Sequence, residues 1–350
     1  MSRLWRYLKR LGLLVLIAVI GLVAPVGYVE TMCRGDGEPQ PYAALVDASQ
    51  YRPETRTLMT YPEWHIVHAY DDYARVIATG DPHDFDYLGA IGGFWSSLCG
   101  LSETAANHGE IDSDTKLMVY VIGVSFTAEL LLKAGYEESL GRLFAALRGP
   151  DRAALDDLSS AQAAAYANFL QQVPWYKWRF REDAADLDAN ASDSWRDRER
   201  RFALGIEYSA KAAYAEVIAD AVAATGNDAL TLRMVLTGVS PDHLAAIPEV
   251  RVITQLPEGI EIETPRYRAL THLLARLAAD GADFVEIAGN DDIMFTALSD
   301  NPVETGALLS LPRQGATDYR HLIVVKVSDL AGQLREQTGL ALRLEHIHDY

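Results

Sequence analysis

Cysteine is scarce in this sequence, which has only Cys33 and Cys99 among its 350 residues. Two cysteines are too few for a disulfide-built domain, and they lack the paired spacing of a zinc site. In an oxidising compartment they would form one disulfide bond. Two buried free thiols are the alternative, and the sequence does not decide between them.

Positive charge is also under-represented. The chain has 31 lysines and arginines against 49 acidic residues, which gives a formal net charge of −18. The first ten residues hold four cations and no acid, so the rest of the chain carries −22. Such a surface repels phosphate backbones and lacks the positive field that supplies most nonspecific nucleic-acid affinity. We therefore expect no nucleic-acid partner.

The sequence motifs of the common cofactor and catalytic sites are missing. There is no Gly-x-Gly-x-x-Gly, phosphate loop, Gly-x-Ser-x-Gly or His-Glu-x-x-His pattern. These patterns place backbone amides, nucleophiles or zinc ligands for specific chemistry. Without them nothing in the sequence assigns a cofactor, and the cofactor is left unknown.

One long uncharged segment is present near the N-terminus. Nineteen residues from Leu11 to Val29 carry no charge, and at 1.5 Å rise per residue they nearly span a ~30 Å hydrocarbon core. We predict a single membrane-spanning helix over residues 11–29, which Pro25 would kink or end early. The first partner that we predict for this protein is therefore a membrane, which it contacts through residues 11–29.

The charges around this segment predict its orientation. Four cations precede it, whereas Arg34 is the only basic residue between positions 30 and 50. The positive-inside rule then places the N-terminus in the cytoplasm and the bulk of the chain in the periplasm of a bacterial inner-membrane protein. A cleaved signal peptide is the competing interpretation. It is disfavoured because the segment exceeds a signal core of ~7–15 residues and no small-x-small cleavage site follows.

Composition divides the chain into four parts. We predict a basic stub and anchor at 1–30, a tether rich in glycine and proline at 31–58, an all-helical domain at 59–240 and an α+β domain at 241–350. Predicted helices cover about 61–79, 84–101, 114–134, 137–147, 159–173 and 194–225. The segment 114–134 is not predicted to span a membrane, because only the twelve residues from Leu117 to Ala128 are contiguous and uncharged, and a crossing needs ~20.

The C-terminal part changes to strand-like runs. Predicted strands lie near 250–253, 284–287, 293–296, 322–325 and 340–347, with helices after 264 and 328. The second and third runs are separated by Gly289-Asn290-Asp291-Asp292, which predicts a hairpin. The order β-α-β-β-(β)-α-β is that of a ferredoxin-like sandwich. The predicted class of the whole chain is therefore α+β.

Polar residues on the first predicted soluble helix are one candidate site. His65, His68 and Asp72 fall at i, i+3 and i+7, so they share one helix face and could offer two imidazoles and a carboxylate to a metal ion. The alternative is an ordinary surface face. His346 and His348 alternate on the last predicted strand and also share a face, which we interpret as a solvated strand end.

Glu129 is a second candidate, because it interrupts the most hydrophobic soluble helix. A buried carboxyl has a raised pKa or a partner, and perturbed carboxyls cluster at functional sites. A structural partner such as an arginine, or exposure near the helix end, is the alternative explanation.

An aromatic and basic segment is the third candidate. The segment begins with Trp175. In it Lys177, Arg179 and Arg181 alternate with three aromatic residues, Tyr176, Trp178 and Phe180, which would give an extended strip with a cationic side and an aromatic side. Such a strip could rest on an anionic membrane or bind an acidic ligand. Aromatic packing in the core, with the cations paired to carboxylates, is the alternative.

Two classes of function remain open after these observations. The first is a membrane-anchored envelope protein that acts as a binding or interaction module for a protein partner, which is an analogy from the predicted fold. The second is a metal-dependent protein or enzyme that uses the His65, His68 and Asp72 face. The sequence favours the first without excluding catalysis.

Overall fold

The structure is a computed structural model that describes residues 3–37, 39, 42–225, 230–337 and 342–348. Its first helix, α1 (Arg3–Met32), contains the predicted span and continues past Pro25. The stretch Val15–Met32 is long and apolar enough to cross a membrane, and only 6% of it is buried within the fold. An apolar N-terminal helix suited to an anchor or a signal sequence is therefore present.

A second stretch, Ser113–Arg148, also has the length and hydropathy of a membrane span, and 28% of it is buried. The core helix of a soluble protein passes the same test when it is apolar. The expectation of a single span thus remains a prediction.

Helices make up the chain before the first strand. After α1 they are α2 (Glu54–Leu58), α3 (Tyr61–Thr79), α4 (Tyr87–Ala105), α5 (Ser113–Tyr136), α6 (Arg142–Arg148), α7 (Ala154–Leu170), α8 (Phe180–Asn190) and α9 (Trp195–Thr225). A π-helical turn at Glu137–Gly141 links α5 to α6. Side chains cap the starts of α4 and α5: Asp86 Oδ1 accepts from the Gly89 amide at 2.8 Å and Asp112 Oδ1 from the Thr115 amide at 2.8 Å. Periodicity thus predicted α3 at its observed bounds.

The segment expected to be a tether packs on the fold from residue 42 onward. Buried Glu286 accepts hydrogen bonds from the Tyr42 hydroxyl at 3.0 Å and from the amides of Leu45 at 2.6 Å and Val46 at 3.0 Å. Cys33 and Cys99 form a disulfide bond that joins the end of α1 to α4. The chain between anchor and helices is therefore held at several points.

A buried network of charges joins α9 to the helices around it. Arg200 Nη1 donates to Glu137 Oε1 at 2.9 Å, and Arg196 Nε donates to Asp156 Oδ1 at 2.9 Å. Both arginine side chains are only 1% exposed, and Glu199 contacts both. Buried charges are costly unless they are paired, and here each guanidinium has carboxylate partners. The π-helical turn supplies Glu137 to this network.

The strand-rich part contains β1 (Thr231–Thr237), α10 (Pro241–Ala245), β2 (Arg251–Leu256), β3 (Gly259–Pro265), α11 (Arg268–Ala279), β4 (Asp283–Ile287), β5 (Asp292–Ser299), β6 (Ala307–Pro312), β7 (Tyr319–Lys326), α12 (Val327–Gln337) and β8 (Arg343–His348). They form two antiparallel four-stranded sheets, with orders β2-β3-β1-β4 and β6-β7-β5-β8. Each sheet therefore places its second, third, first and fourth strands side by side. The strand β1 lies inside the range 59–240 that was expected to be entirely helical.

The hairpin predicted between 284–287 and 293–296 is wrong, because β4 and β5 belong to different sheets. Ala288 and Gly289 adopt positive φ values of 53° and 87° and turn the chain away from β4. Tyr51 packs against Gly289, where a Cβ would lie 2.3 Å from the Tyr51 ring. The Asn290 side-chain amide donates to the Arg52 carbonyl at 2.7 Å. The segment before α2 thus lies where a hairpin partner would be.

The second sheet lies between two hydrophobic cores. Phe295, Ile323 and Ile347 face a core shared with α11, α12 and the first sheet. On the other face, Met294 and Leu322 join the core of α3, α4 and α5. The helical and strand-rich parts are therefore in direct contact through this sheet.

Candidate functional site

The polar face predicted on α3 is buried. His65, His68 and Asp72 each expose less than a tenth of their surface. They lie against different neighbours, which are α4, β8 and the β6–β7 turn respectively. An ordinary surface face is therefore the wrong description of this part of α3.

His65 connects α3 to α4. Its Nε2 lies 2.8 Å from the Ala90 carbonyl oxygen. Gly93 makes room for the ring, because a Cβ at that position would lie 2.5 Å from His65 Cε1. Burial lowers the pKa of His65 to about 4. The ring is thus neutral at pH 7, and its Nε2–H donates to Ala90.

Asp72 connects α3 to the turn between β6 and β7. It accepts hydrogen bonds from Arg75 Nη1 at 2.8 Å and from the Gln314 amide at 3.1 Å, and Arg320 Nη1 lies 3.9 Å away. Burial raises the pKa of Asp72, against the opposing effect of these arginines. Two of the three predicted metal ligands therefore already have protein partners.

The third residue, His68, forms a histidine cluster with His346 and His348 of β8. Trp64 lies beside all three, and its ring centroid is 3.8 Å from that of His346 and 5.5 Å from that of His348. The His348 ring is 4.9 Å from His346 and 6.4 Å from His68. His346 is 4% exposed and His348 is 0% exposed, so the solvated strand end inferred from the sequence is wrong.

Four ring nitrogens of the histidine cluster have no hydrogen-bond partner among the described residues: Nε2 of His68 and His346, and both nitrogens of His348. Burial holds the pKa of His68 and of His348 well below its usual value and lowers that of His346 to about 3. Neutral imidazoles can bind metals. However, the three rings are not among the donor groups that lie within 4.8 Å of one another. The cluster is an aromatic contact between α3 and β8, with no preformed metal position.

Two groups in the described ranges do bring three donor atoms within 4.8 Å. One contains the disulfide-bonded Cys33 and Cys99, which have no free thiolate to offer. In the other, His108 Nδ1 lies 3.1 Å from Glu54 and its Nε2 lies 3.5 Å from Asp292. Hydrogen bonding to Glu54 raises the pKa of His108 despite its partial burial. Direct contacts of the imidazole with two carboxylates explain this second group as a bridge between α2 and β5.

Glu129 lies in a network of ionised groups between α5, α3 and α9. It accepts a hydrogen bond from the Tyr70 hydroxyl at 2.6 Å, and Lys211 Nζ lies 2.8 Å away. Lys211 also contacts Glu207 at 3.0 Å, and Lys133 contacts Glu207 at 3.2 Å. The alternative of a structural partner therefore describes Glu129, and the partners are a lysine and a tyrosine.

The electrostatics of this network favour ordinary charge states. Burial opposes the charge of Lys211, but Glu129, Tyr70 and Glu207 outweigh it and hold the pKa of Lys211 well above its usual value. Burial and Glu129 raise the pKa of Tyr70. A general base or an amine nucleophile needs a pKa near the working pH. These shifts move both groups away from such roles.

A small cavity adjoins this network, lined by Tyr70, Lys133, Tyr166, Trp178, Asp183, Glu207 and Lys211 among others. Its volume of about 30 Å³ is of the size that one ordered water occupies. Aromatic rings surround the Lys211 ammonium, with the Tyr70 centroid 4.9 Å away. The space is too small for an organic ligand.

The segment 175–181 is not extended. Trp175–Lys177 form a 3₁₀ turn and α8 begins at Phe180. Trp178 turns inward and donates from Nε1 to Asp183 at 2.7 Å, while Arg181 pairs with Glu216 and Arg179 lies 3.7 Å from Asp183. The expected strip with one cationic and one aromatic side therefore does not form, and the packing alternative describes these residues.

A larger cavity of about 300 Å³ lies where α1 meets α4 and α5. Its walls include Val29, Met59, Leu98, Ile111, Val119 and the disulfide sulfur of Cys33. Glu30, Arg34, Glu110, Lys116 and Tyr120 supply its polar side. This cavity was not anticipated from the sequence, because its walls come from three separate helices.

Exposed apolar side chains occur on α5, on the π-helical turn after it, on α6 and on α9. We call these residues together the apolar helical face, and they are Leu117, Val121, Leu132, Leu140, Leu143, Leu147, Phe202, Ile206 and Val217, each between 48% and 77% exposed. Contacts such as Lys133 to Glu207 and Tyr136 to Glu199 keep α5 beside α9. Each of these residues therefore leaves about half or more of its surface open to solvent.

Comparisons with known proteins give no relative. No protein-family model, no curated protein and no solved structure matches the chain.

Proposed function

We propose that the chain is a single-span, membrane-anchored envelope protein whose folded part lies in the periplasm and binds another membrane protein. The exposed apolar surface of α1 supports the anchor, and the distribution of basic residues supports the orientation. A disulfide between Cys33 and Cys99 is compatible with an oxidising compartment.

The apolar helical face is the observation that carries the proposal. Exposed apolar patches of this kind mark sites of interaction with proteins or membranes. The face begins beside the anchor, because Glu30 at the end of α1 contacts Lys116 and Tyr120 near the start of α5. An apolar helix of a neighbouring membrane protein could reach it there. That helix is the occupant we propose.

Binding is proposed in preference to catalysis because of how the titratable clusters are arranged. Lys211 pairs with Glu129, which also accepts a hydrogen bond from the Tyr70 hydroxyl, and Asp72 is engaged by arginines. The metal-dependent alternative would have to use the histidine cluster, whose rings would need to move before three nitrogens could meet at one ion.

We further propose that the strand-rich part consists of two ferredoxin-like units. Together they would form a rigid support for the helices. The shared order of second, third, first and fourth strands in both sheets supports this assignment. A helix, α11 or α12, precedes the fourth strand in each. An experimental structure with another strand order in either sheet would refute it.

Site-specific photocrosslinking in native membranes tests the binding proposal. A photoreactive phenylalanine analogue at Leu132, Leu143 or Phe202 should give discrete protein adducts. The same analogue at Val303, which is 74% exposed in the strand-rich part, should give none. The variants Leu132→Ser and Phe202→Ser should weaken the adducts formed from neighbouring positions without lowering thermal stability.

Other outcomes would contradict specific parts of the proposal. Adducts with lipid alone, or with a second copy of this chain alone, would show that the occupant is not another membrane protein. The orientation is tested separately by a phosphatase fused after residue 60, which should be active, and a fluorescent protein fused there, which should be dark. The reverse result would overturn the periplasmic assignment.

A further inference from the structure

The cavity of about 300 Å³ beside α1 has the size of a binding site. Pockets for small molecules measure about 300–1,000 Å³ and combine an apolar wall with a few polar groups. The apolar wall here comes from Val29 of α1, Leu98 of α4 and Val119 of α5, all almost fully buried. The shape is therefore set by residues of three helices that the disulfide and its neighbours hold together.

The polar side of this cavity carries both signs of charge. Lys116 Nζ lies 3.1 Å from Glu30 Oε1, and the Tyr120 hydroxyl donates to the same atom at 2.7 Å. Arg34 Nε donates to the Glu30 carbonyl oxygen at 2.6 Å, which leaves its guanidinium at the edge of the cavity. Glu110 adds an exposed carboxylate. Two cations and two anions suit a ligand that itself carries both signs.

The position of this cavity along α1 indicates where such a ligand would come from. The uncharged segment ends at Val29, and the cavity is lined by Val29, Glu30 and the residues that follow. Residues 22, 25 and 26 of α1 are half-buried and Val29 is buried, so the folded part lies alongside the last turns of the predicted span. If α1 spans the membrane, the cavity lies at the level of the lipid headgroups.

We propose that this cavity binds a zwitterionic phospholipid of the phosphatidylethanolamine type. Lys116 and Arg34 contact the phosphate, Glu30 and Glu110 contact the ammonium, and an acyl chain lies against Val29, Leu98 and Val119. The inference rests on the anchoring part of the proposed function, but not on the partner of the apolar helical face.

The test uses the full-length protein in nanodiscs of defined composition, transferred to mild detergent and examined by native mass spectrometry. Nanodiscs contain equal amounts of phosphatidylethanolamine and anionic phosphatidylglycerol. We expect one phosphatidylethanolamine to remain bound in preference to phosphatidylglycerol. Soluble glycerophosphoethanolamine, added in excess, distinguishes a headgroup-only ligand from a lipid, because it should not displace the bound molecule.

Two matched pairs of variants locate the site. Ser102→Phe fills the cavity from α4 and should reduce retained lipid by about tenfold, whereas Ser96→Phe makes the same change at an exposed position of the same helix and should not. Arg34→Gln should lower retention, and Arg198→Gln, at an exposed arginine of α9, should leave it unchanged. Circular dichroism verifies that each variant is folded.

Several results would overturn the proposal. They are the loss of all lipid from the unmodified protein, equal retention of phosphatidylglycerol, displacement by the soluble headgroup, or unchanged retention in folded Ser102→Phe. The photocrosslinks at Leu132 and Phe202 are measured in the same variants. If they persist while lipid retention fails, the lipid site is wrong and the binding face is unaffected.

Discussion

Trp64 of α3 stacks on His346 of β8, with ring centroids 3.8 Å apart and planes inclined by 32°. This contact joins the helical part to the last strand of the second sheet. It also shields the three imidazoles of the histidine cluster from water. The stability of the protein should therefore depend on whether those imidazoles are neutral.

We predict that stability falls as the pH drops below about 6.5. An unfolded chain binds protons on histidine near pH 6.5, whereas burial lowers the pKa of His65 to about 4 and that of His346 to about 3 in the folded chain. Below pH 6.5 the unfolded state therefore binds more protons, and each such histidine removes about 1.4 kcal/mol of unfolding free energy per pH unit until its folded pKa is reached. Denaturant unfolding of the full chain in detergent at pH 7, 6 and 5 measures this slope.

A variant of the histidine cluster isolates its share of the slope. His346→Gln should flatten the dependence between pH 6 and pH 5, whatever its effect at pH 7. A slope that is equal in His346→Gln and in the unmodified protein would show that the histidine cluster does not titrate in this way.

The network around Lys211 leads to a second prediction. Lys211→Met removes the ammonium that lies 2.8 Å from Glu129 and 3.0 Å from Glu207. Removing one partner of a fully buried pair costs about 3–5 kcal/mol. The loss here should lie at the lower end of that range, because Glu207 keeps its contact with Lys133 and the Glu129 side chain is 34% exposed. We expect a loss in that range by equilibrium unfolding at pH 7.

The double variant Lys211→Met with Glu129→Gln should recover part of this loss, because it also removes one uncompensated carboxylate. Lys326→Met is the matched control. Lys326 pairs with Asp291 and Asp292, and its side chain is 52% exposed. Exposed pairs contribute at most about 1 kcal/mol. Equal losses for the two lysine variants would contradict the buried network.

Local sequence patterns account well for the helices and poorly for the sheets. The helices predicted over 61–79 and 194–225 match α3 and α9. The connection from β4 to β5 contains glycine and asparagine, as a hairpin does, yet it crosses between sheets. Tyr51 and Arg52 direct that crossing from more than two hundred residues away. Such a long-range contact leaves no local signal.

Sequence-based prediction of the candidate sites was limited for the same reason, because it could not identify long-range contacts of single side chains. The histidine cluster joins His68 to a His-x-His pair on the last strand, and only the alternation of His346 and His348 could be read locally. Which face of α3 is buried depends on where β8 packs. Glu129 could be recognised because it interrupts an apolar helix. Its partner Lys211 lies on another helix, so the spacing of residues could not identify that partner.

The disulfide provides a third prediction. Cys33 and Cys99 are 66 residues apart, and closing a loop of that length stabilises the folded state by roughly 4 kcal/mol in the chain-entropy model. Reductant should lower the unfolding free energy of the unmodified protein by that order. It should not change a Cys33→Ser/Cys99→Ser variant, which starts at the lower value. A nonreduced mass without the loss of two hydrogens would show that the bond is absent.

Two adjacent glycines of α4 allow a matched test of the His65 environment. A Cβ at Gly93 would lie 2.5 Å from His65 Cε1 and 3.2 Å from Leu311, whereas a Cβ at Gly92 would have no atom within 4 Å. Gly93→Ala therefore forces the buried imidazole away from the Ala90 carbonyl, and overpacking of this kind costs about 1–3 kcal/mol. Gly92→Ala meets no such obstacle and removes a helix-destabilising residue, so it should raise stability by up to about 1 kcal/mol.

Thermal unfolding of the two single variants tests this prediction. Each variant adds one methyl group to α4, at neighbouring positions, and the expected changes in melting temperature have opposite signs. A general effect of alanine on α4 would move both melting temperatures upward. A lower melting temperature for Gly93→Ala together with a higher one for Gly92→Ala is expected only if the added methyl group contacts His65. If Gly93→Ala melts at or above the unmodified protein, His65 is free to move, and the close packing of α3 on α4 at this point is wrong.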